Sequence, residues 1–205
     1  MSSLKYHHEC IFPTLIHVIE TQVDPEIKEH CLSKKQADPK GVFFSNHGGW
    51  QSKQEYKDNI ITDKLYEIFN QSLQQSFVAP IKITGHWINI NKPNSYNLKH
   101  NHPQSDLAGV YYVEAPENSG NIFFETPQMF AGYSEIESYT PPVKEMSGQH
   151  TIRFVTPQKG LLLVFPAHLQ HGVLLNKSNE DRISISFNMK VVIDPSVHPY
   201  GTHDD

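Results

Sequence analysis

The segment Arg182-Ile-Ser-Ile-Ser-Phe-Asn188 alternates polar and apolar side chains. Successive side chains of a β-strand point to opposite faces, so Arg182, Ser184, Ser186 and Asn188 share one face. We expect this face to form the polar inner wall of a barrel. An arginine there needs an anion, because an unpaired buried charge is costly, and its planar fork together with Ser184 suits a carboxylate. An exposed arginine on an edge strand is the alternative.

Short β-rich runs surround this segment from Pro80 onward, separated by Pro, Gly, Asn and Ser. The predicted strands lie near 82–91, 97–102, 108–114, 120–125, 150–155, 160–165, 170–175 and 182–193. Eight short strands with turn residues between them are typical of a cupin-like jelly roll, whose two facing sheets leave a mouth for a ligand. The break at 126–149 is too long for a hairpin and predicts a lid or binding loop.

The N-terminal part has a different pattern, with one predicted strand and two predicted helices. The strand covers 10–20, the first helix runs from Glu26 to about Gln36 behind an Asp24-Pro25 cap, and the second covers 58–77. The length fits one domain. We expect a mainly β single domain at 1–205, with N-terminal strand and helices at 1–79, a barrel core at 80–193 and a tail at 194–205.

The composition argues against several classes of protein. The net charge of −5 gives no basic field, so we expect no nucleic-acid partner. The two cysteines, Cys10 and Cys31, cannot build a disulfide framework, and no secretion signal opens the sequence, which favours the cytoplasm. No apolar stretch approaches the roughly 20 residues that cross a bilayer, so we expect no membrane insertion. The oligomeric state stays open, a homodimer included.

The sequence is rich in histidine, with 13 residues, and histidine is the commonest side-chain ligand of transition metals. His100 and His102 lie at the end of a predicted strand, where residues i and i+2 point to the same face, so both imidazoles can reach one ion. His171 follows the apolar strand 160–165 and can close the site from a distant strand. Taken singly, each could instead be a solvated loop histidine or an ordinary core histidine.

In chain order, the HxH pair, the distal histidine and the Arg-x-Ser eleven positions later resemble the 2-oxoglutarate/Fe(II) oxygenases. The common pattern of those enzymes is HxD/E, then His, then RxS on a double-stranded β-helix. The chain is more narrowly similar to the family marked by a tract such as HNHPxSxLSGVYYV. That tract reads here His100-Asn-His-Pro-Gln-Ser-Asp-Leu-Ala-Gly-Val-Tyr-Tyr-Val113. The similarity extends to 45–52, 87–89, 119–120 and 160–188.

The resemblance implies a double-stranded β-helix enzyme that uses Fe(II) and 2-oxoglutarate. His100 and His171 would fill the two histidine positions, while Arg182 and Ser184 would hold the distal carboxylate of 2-oxoglutarate. The chain departs from the pattern at His102, which stands where the superfamily has Asp or Glu. We expect His102 to be the third ligand, ahead of two nearby carboxylates, Asp106 and Glu125.

The same resemblance implies roles for other residues of the predicted barrel. Asn89 and Tyr111 would contact 2-oxoglutarate, and Trp87, Tyr112 and Asn188 would line a substrate pocket. Because adjacent strand residues face opposite ways, one of the two tyrosines must belong to the core.

The reaction implied is oxidative decarboxylation of 2-oxoglutarate to succinate and CO2, coupled through O2 to oxidation of a small molecule or side chain. Two other hypotheses remain. One is a cupin-like three-histidine dioxygenase without cosubstrate, and the other is a non-catalytic barrel that binds a metal or a carboxylate.

Overall fold

The computed structural model describes residues 7, 9–10, 12–77, 79–128, 138–147 and 150–192. Its strands form two antiparallel sheets. The major sheet has the order β1-β9-β6-β11-β4-β3 and the minor sheet the order β2-β5-β10-β7-β8. The strands are β1 (His17–Glu20), β2 (Asn46–His47), β3 (Trp50–Gln51), β4 (Ile81–Asn91), β5 (Tyr96–His100), β6 (Leu107–Glu114), β7 (Ile122–Glu125), β8 (Ile152–Val155), β9 (Leu161–Pro166), β10 (His171–Val173) and β11 (Arg182–Val191).

The predicted fold is confirmed, since the chain is mainly β and its two sheets are those of a double-stranded β-helix. All eight strands predicted from Pro80 onward are present, as β4 to β11. β11 lies inside the major sheet between β4 and β6, and its register pairs Ser184 with Asn89 on one side and Tyr112 on the other.

The major sheet is buried on both faces. One face packs against the minor sheet and contributes Ala108, Val110 and Tyr112 to the core between the sheets. The other face packs against the helices and contributes Tyr111 and Val113 to a second, larger core. The alternation of β11 follows the prediction, because Ile183, Ile185, Phe187 and Met189 all belong to the core on the helix side.

The α-helices with described bounds are α1 (Pro25–Ala37), α2 (Asn59–Ile68) and α3 (Pro141–Ser147). Asp24 caps α1 as predicted, because its carboxylate accepts a hydrogen bond from the Glu26 N–H at 3.0 Å. The predicted helix 58–77 is α-helical only to Ile68 and continues as a π-helical turn, Phe69–Leu73. In that turn the Ser72 hydroxyl donates to the Ile68 carbonyl, a bond that competes with regular α-helical pairing.

Two predicted segments differ from the structure. Of the described residues in the predicted strand 10–20, His17–Glu20 pair with β9, so the strand begins four residues after Pro13. The predicted loop 126–149 contains the helix α3, while 129–137 and 148–149 lie outside the described residues. The predicted tail at 194–205 also lies outside the described residues. Among the described residues, no helix has both the length and the apolar character needed to traverse a lipid bilayer.

We expect Phe187→Ala to destabilise the protein by about 3–5 kcal/mol, the usual cost of deleting a buried phenylalanine ring. Phe187 is fully buried on the helix side of β11 and packs against Phe69, with 5.5 Å between ring centroids. Urea denaturation measures the free energy of unfolding. Phe44→Ala is the matched control, because its ring is 71% exposed and its loss should cost about 0.5 kcal/mol or less. Equal costs would contradict the described core.

Candidate metal centre

Three histidines meet where the minor sheet opens. His100 ends β5, His171 begins β10, and the two are direct partners across these antiparallel strands. His102 lies two residues beyond His100, where its N–H donates to the Ala167 carbonyl at 2.9 Å. The ring centroid of His171 lies 4.5 Å from that of His100 and 5.1 Å from that of His102. Their candidate ligand nitrogens all lie within 4.8 Å of one another, so the three rings could hold one ion.

Backbone carbonyls fix the tautomer of two of these rings. The Nδ1 atom of His100 lies 2.7 Å from the Leu98 carbonyl, and that of His171 lies 2.8 Å from the Leu169 carbonyl. A carbonyl only accepts hydrogen bonds, so Nδ1 carries the proton and Nε2 keeps a lone pair. The Nε2 atoms of His102 and His171 face each other at 3.2 Å. A metal ion binds an imidazole through such a lone pair, and the hydrogen bond at the other nitrogen keeps the ring oriented.

Burial keeps the three imidazoles uncharged. It lowers the pKa of His100, and it lowers that of His102 to about 3, with further contributions from His171 and His100. The pKa of His171 falls to about 4, mainly by burial and then by repulsion from His100. At neutral pH all three rings are therefore in the neutral form that binds metals.

A polar wall faces the histidines across the cavity that both line. The inner face of β11 contributes Arg182, Ser184 and Ser186 to this wall. Its neighbours add Asn89, whose amide donates to the Ser186 hydroxyl at 3.1 Å, and Tyr112. The structure thus brings together two elements that lie far apart in the sequence, the histidine cluster and the Arg-x-Ser strand.

Arg182 is buried and lacks an acidic partner among the described residues. Its Nη1 donates to the carbonyl of Ser119 and, at 3.2 Å, to that of Gly120. Burial lowers the pKa of the guanidinium, and the nearby Tyr112 hydroxyl acts in the opposite direction. Within the described chain, neither the Tyr112 hydroxyl nor the Asn89 side-chain oxygen has a hydrogen-bond partner. A buried cation beside unused polar groups fits an anionic ligand such as a carboxylate.

Two predicted site residues do not line this cavity. Tyr111 lies on the helix side of β6, where its hydroxyl donates to the Gln22 carbonyl at 3.4 Å, so Tyr111 cannot contact a ligand bound in the cavity. Tyr112 is the member of the pair that faces inward. Asn188 shares the inward side of β11 but lies next to a β-bulge, beyond the residues that line the cavity.

The two carboxylates considered as alternative ligands are engaged elsewhere. Asp106 forms an ion pair with Lys190 at 3.1 Å and accepts a hydrogen bond from the Val191 N–H. Glu125 forms an ion pair with Lys99 at 2.9 Å.

Two polar residues that line the cavity, Ser45 and Asn97, were not predicted as site residues. Asn97 lies on β5. Its oxygen accepts a hydrogen bond from the Asn91 amide at 3.0 Å, and its amide donates to the Ser45 hydroxyl at 3.4 Å. The sequence offered one indication of its role, because Asn97 begins the predicted strand 97–102, which contains His100 and His102.

Solved structures share this fold. A Pseudomonas putida prolyl-4-hydroxylase is 11% identical, with a TM-score of 0.56 over 88% of this chain and 94% of that chain. HygX from Streptomyces hygroscopicus, with nickel and 2-oxoglutarate bound, is 13% identical, with a TM-score of 0.57 over 88% and 84%. The carbocyclase SnoK from nogalamycin biosynthesis is 10% identical, with a TM-score of 0.61 over 86% and 79%. No curated protein sequence matches the chain significantly.

The fold, with three histidines facing a buried arginine in one cavity, is that expected of a double-stranded β-helix oxygenase. The family model described as "Putative 2OG-Fe(II) oxygenase" matches residues 85–188, which run from β4 to β11. This chain belongs to that family. The resemblance inferred from the sequence is therefore confirmed, as are the class of enzyme and the cofactors Fe(II) and 2-oxoglutarate.

We expect His102→Ala to abolish binding of one Fe(II) equivalent, because the two remaining imidazoles would leave the site a ligand short. Asp106→Ala and Glu125→Ala should bind iron like the wild type, since both carboxylates are paired with lysines. Anaerobic titration of the apoprotein with Fe(II) provides the measurement. If a carboxylate variant loses iron binding while His102→Ala keeps it, that carboxylate, and not His102, is the third ligand.

Proposed function

We propose that this oxygenase couples oxidative decarboxylation of 2-oxoglutarate, giving succinate and CO2, to hydroxylase-type oxidation of a small molecule or an accessible side chain. O2 is the oxidant. The observation that supports this reaction best is the buried guanidinium of Arg182, which lacks an acidic partner among the described residues and lines the same cavity as the three histidines. A dicarboxylate cosubstrate would supply the missing negative charge.

The metal ligands in this proposal are His100, His102 and His171. Their nitrogens converge, and carbonyl hydrogen bonds orient two of the rings, so little rearrangement would accompany binding. Iron bound there would supply the activation of O2 that joins the two oxidations. A set of three neutral ligands leaves the ion one unit more positive than two histidines and a carboxylate would.

The cosubstrate would be held on the opposite wall. Arg182 and Ser184 are the proposed partners of its distal carboxylate, because the guanidinium offers two parallel donors and the hydroxyl lies on the same face of β11. Tyr112, in place of Tyr111, is proposed as a further donor, since its buried hydroxyl has no other partner among the described residues. Asn89 completes the polar set next to Ser186.

Trp87 is the proposed boundary between the metal centre and the oxidised substrate. Its half-buried ring is tilted by 33° against that of His102, with 5.7 Å between centroids. A large apolar ring at that position excludes water from the reacting groups, which protects them from side reactions.

We also propose that residues 1–205 act as one domain. Two contacts support a single body: β1 extends the major sheet beside β9, and residues of α1 and α2 share one apolar core with β4 and β11.

Arg182→Ala should reduce 2-oxoglutarate turnover roughly 100-fold or more, because losing one partner of a buried charged pair costs about 2–5 kcal/mol. Succinate formation with Fe(II), O2 and a substrate panel is the measurement. Arg153→Ala is the matched control, since Arg153 on β8 is exposed and is the only other arginine of the sequence.

Each alternative hypothesis has a distinct outcome in the same assay. Substrate oxidation that is unaltered in Arg182→Ala would indicate a three-histidine dioxygenase without cosubstrate. Iron binding by the wild type without any 2-oxoglutarate consumption would indicate a non-catalytic barrel.

A further inference from the structure

A second group of potential metal ligands lies on the helix side of β4, formed by Glu55, Asp58 and His86. We call it the outer cluster. One ligand atom from each residue lies within 4.8 Å of the other two. His86 shares the helix side of β4 with the core residue Ile88, whereas Trp87 points into the cavity, so the sheet separates the outer cluster from the metal centre.

His86 is the unusual member of the outer cluster. The residue is 1% exposed, and neither ring nitrogen has a hydrogen-bond partner among the described residues. Buried imidazoles are normally hydrogen-bonded, so two unused nitrogens beside two carboxylates need an explanation. The backbone holds the ring in place, because His86 and Glu55 exchange N–H to carbonyl hydrogen bonds of 2.8 and 2.9 Å.

A lysine ammonium now occupies the position of a cation between the two carboxylates. The Nζ atom of Lys34 lies 2.8 Å from both oxygens of Glu55 and 3.0 Å from an oxygen of Asp58. His30, one turn earlier on α1, contacts the same Asp58 oxygen through Nε2 at 2.7 Å. The Lys34 side chain is 30% exposed, so its flexible stem can carry the ammonium into solvent when another cation binds.

We propose that the outer cluster is a second metal site, which takes Zn²⁺ or a similar first-row divalent cation in competition with Lys34. One imidazole nitrogen and two carboxylate oxygens form a donor set that suits such ions. Two carboxylates balance the charge of a divalent ion. The single charge of Lys34 balances only one of them, so one negative charge of the outer cluster is left over.

The bound ion would be structural, because it would join two parts of the chain that meet there. Glu55 and Asp58 belong to the segment before α2, where Asp58 also caps the helix by accepting from the Ile61 N–H. His86 belongs to β4, which carries Trp87 and Asn89 on its other face. The site would therefore hold the helical layer against the strand that lines the cavity.

The test uses the full-length chain carrying His100→Ala and His171→Ala, which removes the metal centre and isolates the outer cluster. Calorimetric titration of this apoprotein with Zn²⁺ should give one equivalent. Adding His86→Ala should abolish that binding, and adding Lys34→Met should tighten it at least tenfold by removing the competing ammonium. Adding His168→Ala, an exposed histidine, is the control and should change nothing.

A second variant guards against loss of folding in His86→Ala. Glu55→Gln keeps the size of the side chain and should weaken Zn²⁺ binding, opposite in direction to Lys34→Met. Zn²⁺ should also raise the Tm of the background protein and leave that of the His86→Ala protein unchanged. Absence of Zn²⁺ binding in the background, or binding that neither Glu55→Gln nor Lys34→Met alters, would overturn the proposal.

Discussion

The guanidinium of Arg182 is buried, and no described residue supplies an acidic partner for it. The turn before β7 holds it in place. Carbonyls of Ser119 and Gly120 accept its hydrogen bonds, which stabilises the cation without neutralising it. Gly120 has φ +94°, and a β-carbon there would collide with the Leu174 carbonyl, so only glycine fits this turn. The turn leads into β7, whose Phe124 pairs with His171. The arginine and the histidines are thus connected through a single strand.

The histidine side of the cavity depends on backbone geometry in a different way. Antiparallel pairing of β5 with β10 sets His100 opposite His171, and the carbonyl two residues before each histidine orients its ring. Burial then keeps the rings neutral. The histidine wall therefore suits a metal cation, and the wall that carries Arg182 suits an anion. Both walls line the same cavity.

Sequence periodicity was informative where one face of a strand differs from the other. β11 alternates strictly, so the face carrying Arg182 could be predicted, and turn residues marked the limits of eight strands. β6 is apolar on both faces because the major sheet is covered on both sides, so no alternation distinguished Tyr111 from Tyr112; the register against β11 decides between them. The outer cluster was invisible for another reason. Glu55, Asp58 and His86 match no spacing rule, and only the pairing of residue 55 with β4 brings them together.

The two-sided burial of the major sheet connects the helical layer to the cavity, although no residue of a described helix lines that cavity. Phe187 packs on Phe69 of the helical layer, while the residues on either side of Phe187 in the chain, Ser186 and Asn188, point the opposite way. A change of volume beneath the sheet would therefore tilt the strand and alter the width of the cavity. Evolution could in this way retune which molecules enter the cavity through mutations in the helices, with every residue of the reactive centre left unchanged.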